Sequence, residues 1–379
     1  MKEKVINLLS DLIRIESITP DVKCVEFVRD LLVKKGFECD FVVFDDTANL
    51  YATVGNKSGK NLCFCGHVDV VPLVDERAWK FGGFNPVVDG GRLYGRGAVD
   101  MKGAIAAFLI ALFDVIERVD LKENCVSVLI TGDEEGSGEN GTRKMLEYIT
   151  KKGERIDFCL IGEPTCCDKS LDCVHIGRRG SFNFKTEVFG VEGHVAYKEN
   201  FDNPITKAVN VCKALSDYDF CDGDELYPNS NLEIVAFDGQ NAVNNVVLNR
   251  AFFRGNVRFN AHKNSVQSLG DLIGNIHKGV IDEGDFKMES VCTHGGYHSG
   301  VNEFSNFVLG VVKGFEPNVR FATHGGVTDG SFLINYCKNI CELGLKDSVM
   351  HKIDEYVEID DLMKLCEVYG AILGRFVKN

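Results

Sequence analysis

Two histidines and three carboxylates lie on short, glycine-flanked segments spread along the chain: His67 in GHVDVV, Asp100 in GRGAVDMKG, Glu135 in TGDEEG, Glu163 in IGEPT and His351 in VMHKIDE. Imidazole nitrogens and carboxylate oxygens are the donors that zinc-class ions take, and five of them suit a pair of ions. Glu134 stands beside one of these residues without being needed as a ligand. Metal-assisted hydrolysis requires such a free carboxylate to take a proton from water and then give it to the leaving group. These residue types therefore point to hydrolysis at a two-metal centre.

Taken singly, each segment has a plainer account. Asp69 follows His67 by two positions and is the expected partner for the free ring nitrogen, which would fix the tautomer and raise ligand basicity; an isolated H-x-D is more simply a loop. Asp100 precedes a helix predicted from about Met101, so a bare N-cap accounts for the acid. It does not account for Gly95, Gly97 and Gly103, which let the backbone turn tightly, or for Lys102. The run Asp133–Glu135 is a solvated acidic loop unless cations neutralise it. Glu163 and His351 carry little signal alone. Of the nine histidines, His175, His262 and His277 read as surface or satisfied core positions, while His294, His298 and His324 lie in glycine-rich loops and stay open as further site groups.

The elements that must position these residues follow from periodicity. Amphipathic helices are predicted near 2–16 and 22–35, strands at FVVF, NLYATV and NLCFCG, a long apolar helix from about Met101, a strand at CVSVLIT, a helix near 141–151 and a strand at DFCLIG. Alternating strands and helices with reactive residues at strand ends indicate an α/β layered domain. From about 181 to 292 the order becomes strand, helix, strand, strand, helix, strand, a ferredoxin-like α+β module. Helical and strand character of the first kind then returns, with helices near 302–314 and 360–377 and a strand at NICELG. The predicted fold is a layered α/β catalytic domain with a mixed sheet, residues 1–179 and 293–379, interrupted by an inserted module at 180–292. Only a domain built from both chain ends brings His351 to Glu163.

Bulk properties set the boundaries of the reading. A chain of 379 residues exceeds the size at which one hydrophobic core keeps growing, so two domains are expected. With 45% hydrophobic and 26% charged residues the composition is that of a soluble globular protein. A formal charge of -14, with no long Lys/Arg run, argues against nucleic acid or an anionic membrane as partner. The apolar stretch Gly103–Phe113 is too short to span a bilayer, and the N-terminus alternates charge with apolar residues unlike a signal peptide. The fifteen cysteines, including the adjacent Cys166 and Cys167, contain no CxxC pair. They read as reduced, packed thiols of a cytoplasmic protein rather than as a structural zinc site.

Taken in order, GHVDVVP, GRGAVDMKG, TGDEEGSG, IGEPT, GRRGS and HKIDE resemble the dizinc aminoacylase and metallopeptidase superfamily over nearly the whole chain. GRRGS and GHVAY tilt the resemblance toward its desuccinylase branch. The resemblance implies two zinc ions, with cobalt or manganese able to substitute. Asp100 would bridge them, His67 and Glu163 would hold one, and Glu135 and His351 the other. It implies Glu134 as general base and acid, and His194, from a second subunit of a homodimer, as a helper at the oxyanion. Arg178, Tyr197, Asn244 and Arg258 would grip the carboxylates of a small acylated amino acid, for which arginine's planar fork is suited. The inserted module would serve as dimerisation and lid domain, and the reaction would free succinate from N-succinyl-LL-2,6-diaminopimelate.

Four places depart from the superfamily pattern: Leu248 for a proline, Ser331 for an arginine, Asp347 for an asparagine, and the stretch 292–300. None touches the expected ligands; all bear on the substrate. Another acyl-amino-acid deacylase, such as one acting on acetylornithine, or a dipeptidase therefore remains the alternative within the enzyme class. A non-catalytic zinc-binding scaffold is the alternative outside it. A homodimer through the inserted module is expected from the resemblance and from AFFRGNVRF read as an exposed edge strand.

Overall fold

The computed structural model of the protein describes residues 1–166, 168–239 and 241–378, with residues 291–294 described by backbone alone. Cys167 and the His294 side chain thus lie outside the described residues. The chain forms two compact units: Met1–Gly177 with His298–Thr323 and Thr328–Asn379, and Arg178–Tyr297 with His324–Val327.

The first unit is built on an eight-stranded mixed sheet in the order Glu38–Phe44, Thr47–Gly55, Asn124–Thr131, Lys60–His67, Phe158–Ile161, Ile340–Glu342, Cys173–His175, Arg320–Ala322. Lys60–His67 runs parallel to both Asn124–Thr131 and Phe158–Ile161, and Ile340–Glu342 runs parallel to Phe158–Ile161. These central strands are apolar along their length because helices cover the sheet, as parallel strands require. The helix Lys102–Ile116 is apolar all round and buries nearly every residue. Phe108 stacks on Phe64 at 4.0 Å between ring centroids, and Tyr369 of the last helix, Ile359–Phe376, meets Phe108 edge-on at 5.6 Å. A smaller three-stranded sheet joins Tyr356–Glu358, Arg92–Tyr94 and Val87–Asp89. The chain leaves this unit after Gly177 and returns at His298, where Ser299 N–H donates to the Ile176 carbonyl at 2.9 Å. Among the described residues no helix is long and apolar enough to cross a membrane.

The second unit has a four-stranded antiparallel sheet ordered Asn231–Asp238, Arg250–Phe259, Gly180–Phe189, Phe286–His294. Its helices are Pro204–Ser216 and Val266–Lys278. Phe182, Phe184, Phe253, Val257 and Phe259 from the strands, with Val211, Leu215, Leu269 and Ile273 from the helices, form its own core. This is the ferredoxin-like arrangement. One expectation is corrected here. Arg250–Phe259 is not an edge strand: it pairs with Gly180–Phe189 on one side and Asn231–Asp238 on the other. Its alternating burial leaves one face for the helices, and both backbone edges are already hydrogen-bonded; the outer strands are Asn231–Asp238 and Phe286–His294.

Candidate metal centre

Three parallel strands end on one edge of the central sheet, and four of the reactive residues follow from those ends. His67 closes its strand opposite Thr131, after which the chain turns through Gly132 and Asp133 to Glu134 and Glu135. Glu163 follows Ile161 after a single glycine. Asp100 arrives on the segment before Lys102–Ile116. Gly97 has φ of 81°, and a Cβ there would come within 2.8 Å of Val70; at Gly103 one would come within 2.3 Å of the Ala98 carbonyl. The glycines are therefore steric requirements of this turn. His351 lies in a turn between Ile340–Glu342 and Tyr356–Glu358.

Asp100 presents one carboxylate oxygen to each histidine. Its Oδ1 lies 3.2 Å from His67 Nε2 and its Oδ2 lies 3.1 Å from His351 Nε2. His351 Nε2 is also 2.9 Å from Glu135 Oε1. On the other side, His67 Nε2 is 3.5 Å from Glu163 Oε1 and 4.0 Å from Glu134 Oε2. Two donor groups, His67 with Asp100 and Glu135, and His67 with Glu134 and Glu163, each gather their ligand atoms within 4.8 Å.

Asp69 differs from expectation in detail. The His67 Nδ1 faces the main-chain oxygen of Asp69 at 2.9 Å, while the Asp69 carboxylate lies 3.6 Å away. A carbonyl can only accept, so a neutral His67 carries its proton on Nδ1 and turns the Nε2 lone pair toward Asp100. The Asp69 carboxylate instead receives the N–H groups of Glu134 at 3.1 Å and Glu135 at 3.0 Å. It thereby fixes the loop that carries both acids. Asp100 does not act as a side-chain helix cap: Met101 occupies the N-cap position, without a side-chain hydrogen bond, and the Asp100 carboxylate points to the histidines.

The electrostatics are those of a cation site. Burial raises the Glu134 carboxyl well above the ordinary range, and the neighbouring Glu163 raises it further. Burial disfavours a charged His67, yet Asp100 and Asp69 hold its pKa well above the usual value. Burial likewise opposes the Asp100 carboxylate, but His351 and His67 hold its pKa down. Hydrogen bonds from Asp100 and then Glu135 lift His351 to about 10. Asp329, buried and bonded by Thr142 Oγ1 at 2.6 Å, is raised by burial to about 6. So many acids around two imidazoles are costly in a dry pocket unless cations neutralise them, and an oxygen- and nitrogen-rich donor set fits two zinc-class ions.

Several contributors were not singled out from sequence. Glu355, the last residue of HKIDE, is fully buried and receives the N–H groups of Val99 at 2.9 Å and Asp100 at 3.3 Å. Arg96, between two glycines, meets Glu355 at 2.8 Å. Lys102, noticed but unexplained, is buried and donates to the carbonyls of Leu12 at 2.9 Å and Ile15 at 3.1 Å, which closes the end of helix Lys2–Arg14. Their motif positions were visible; their burial was not.

The remaining expected residues belong to the second unit. Arg178 is buried and its Nη1 donates to the His324 carbonyl at 2.9 Å. His194 Nδ1 accepts from Ala196 N–H at 3.1 Å, its ring lies 5.6 Å from that of Tyr197, and its Nε2 lies 3.5 Å from Asn245 Nδ2. Asn244 is exposed, and Arg258 stands opposite Ser181 and Asn231 on neighbouring strands. Of the histidines set aside, His262 bonds Asp224 at 3.1 Å, and His277 bonds Thr186 at 3.0 Å and the Ile273 carbonyl at 2.7 Å. Among the described residues, neither His298 nor His324 enters a metal-holding group. Asp347 is half-buried on the turn before His351, its N–H donating to the Cys166 carbonyl at 3.2 Å.

Residues 63–375 match the description of Peptidase family M20/M25/M40. A succinyl-diaminopimelate desuccinylase of Rickettsia bellii (strain RML369-C) is 39% identical over 373 residues, covering 96% of this chain and 95% of that relative. One of Orientia tsutsugamushi (strain Ikeda) is 39% identical over 386 residues, covering 100% and 97%. Among solved structures, an M20 family metallo-carboxypeptidase from Sulfolobus solfataricus has a TM-score of 0.80 at 16% identity, covering 99% of this chain and 100% of that one. A dinuclear metal-binding M20 peptidase, YXEP of Bacillus subtilis, has a TM-score of 0.76 at 14% identity, covering 100% and 98%. At such identities the structures speak for the fold.

Proposed function

Because the chain belongs to the M20/M25/M40 peptidase family, we propose that it is a two-zinc amidohydrolase that cleaves the succinyl amide of N-succinyl-LL-2,6-diaminopimelate. The observation that carries the metal chemistry is the Asp100 carboxylate set between His67 and His351. The substrate follows from the full-length likeness to desuccinylases. His67 and Glu163 would hold one ion, Glu135 and His351 the other, and Asp100 both. Such a pair lowers the pKa of water and polarises the scissile carbonyl.

The protein's own groups perform the rest. Glu134 takes a proton from the attacking water and delivers it to the departing amine nitrogen, as the water oxygen joins the succinyl carbon and the C–N bond breaks. The products are succinate and LL-2,6-diaminopimelate. Asp69 keeps Glu134 in place through its main-chain N–H. Arg178, Tyr197, Asn244 and Arg258 bind substrate carboxylates, and His194 of a second copy supports the oxyanion. Homodimerisation uses the second unit, where one outer strand, Asn231–Asp238, exposes Val235 and Phe237. Buried free thiols such as Cys24, Cys63, Cys65 and Cys341 support a cytoplasmic setting.

The test is a substrate panel on zinc-reconstituted protein. The succinyl substrate should give the highest kcat/KM; faster turnover of acetylornithine or of a dipeptide would overturn this assignment. Sedimentation showing a stable, fully active monomer would remove the dimer.

A further inference from the structure

His351 is carried differently from the other donors. His67, Glu134, Glu135 and Glu163 follow from strand ends of the central sheet, whereas His351 sits in a turn with φ of 62° and a side chain 43% exposed. The central sheet alone does not fix its distance to Asp100. The small sheet lays Tyr356–Glu358 against Arg92–Tyr94, and Gly95 N–H donates to the Glu355 carbonyl at 2.9 Å. From there a buried ion pair spans both segments. Glu355 Oε1 receives the N–H groups of Val99 and Asp100, and its Oε2 receives Arg96 Nη1 at 2.8 Å. The same Nη1 also reaches the Lys352 carbonyl at 3.4 Å, Nη2 reaches that of His351 at 3.5 Å, and the Trp79 ring covers the guanidinium at 5.0 Å.

We infer that Arg96 and Glu355 are the positioning pair for one ion of the two, the one held by Asp100, Glu135 and His351. The inference rests on the two-ion reading above. The pair's hydrogen bonds run to the main chain at Val99, Asp100, His351 and Lys352, so it sets the separation of a bridging carboxylate from a loop-borne imidazole. The His67 side has its own support in the Asp69 main chain. Groups that orient ligands in this way change metal affinity by about 10–100-fold when altered.

Calorimetric titration of the metal-free, full-length protein with zinc tests this. The unaltered protein should take up two equivalents. Glu355→Gln should keep one equivalent with affinity within about threefold and weaken the second about 10–100-fold, the pattern also given by His351→Ala. Two equivalents at unchanged affinity, or equal weakening of both, would overturn the proposal. Should Glu355→Gln fail to fold by circular dichroism, Arg96→Lys, which keeps the charge but not the fork, is titrated with the same criteria. Fewer than two equivalents in the unaltered protein would instead sink the two-ion reading and the positioning role with it.

Discussion

Glu134 and Glu135 are neighbours in sequence with different duties, and one carboxylate, Asp69, holds the backbone of both. Glu134→Ala should therefore leave metal content unchanged while turnover falls by at least about 100-fold, the usual contribution of a positioned acid–base group. Metal analysis alongside an assay with the succinyl substrate decides it; retained activity would refute the role of Glu134. A second residue-scale effect concerns pH. Burial holds the His277 imidazole below its ordinary pKa. Between that folded value and about 6.5 the unfolded chain binds more protons, so this contribution to stability is complete above about pH 6.5 and fades as pH falls. In urea unfolding, His277→Gln should thus lose more stability relative to the unaltered protein at pH 7.5 than at pH 5.5. A gap that widens on acidification would contradict the buried neutral histidine.

At the scale of elements, the Asp100 segment is tied to its neighbours through main-chain groups. Lys102 caps the first helix by bonding the carbonyls of Leu12 and Ile15. Burial lowers its pKa, which shows what placing the ammonium there costs. Lys102→Met keeps the stem but removes both ammonium bonds, leaving the Leu12 carbonyl only the Ile15 N–H at 3.3 Å, and should reduce stability by about 1–3 kcal/mol, read as a lower urea midpoint. An unchanged midpoint would mean that the two carbonyls find other partners. The helix Lys102–Ile116 was legible as a buried element because its apolar residues surround the axis. The pairing of Arg250–Phe259 was not: alternation identifies a half-buried strand, but nothing local reports whether its second backbone edge is hydrogen-bonded.

For the whole molecule, the inserted unit has its own aromatic and aliphatic core. Residues 178–297 expressed alone should therefore fold, with a cooperative thermal transition by circular dichroism. A non-cooperative melt would show that this core does not suffice without the strap His324–Val327, which clusters with the same unit. The sequence division at 180–292 did not include that strap, since a short glycine-rich segment carries no periodic signal.

The donor types, the free acid beside them, the glycines that permit the Asp100 turn and the change of pattern after GRRGS, near residue 180, are properties of short segments, and the sequence determined them by itself. Which strands lie side by side is a property of the folded sheet. The order Asn124–Thr131, Lys60–His67, Phe158–Ile161 is not the order of the chain, and it gathers the ends that lead to Glu134, His67 and Glu163, while the small sheet Tyr356–Glu358 with Arg92–Tyr94 follows the turn of His351. The burial that turns Arg96, Glu355 and Lys102 from ordinary charged residues into structural partners exists only once those layers pack. Local spacing encodes which groups are available; long-range pairing and desolvation decide which of them meet.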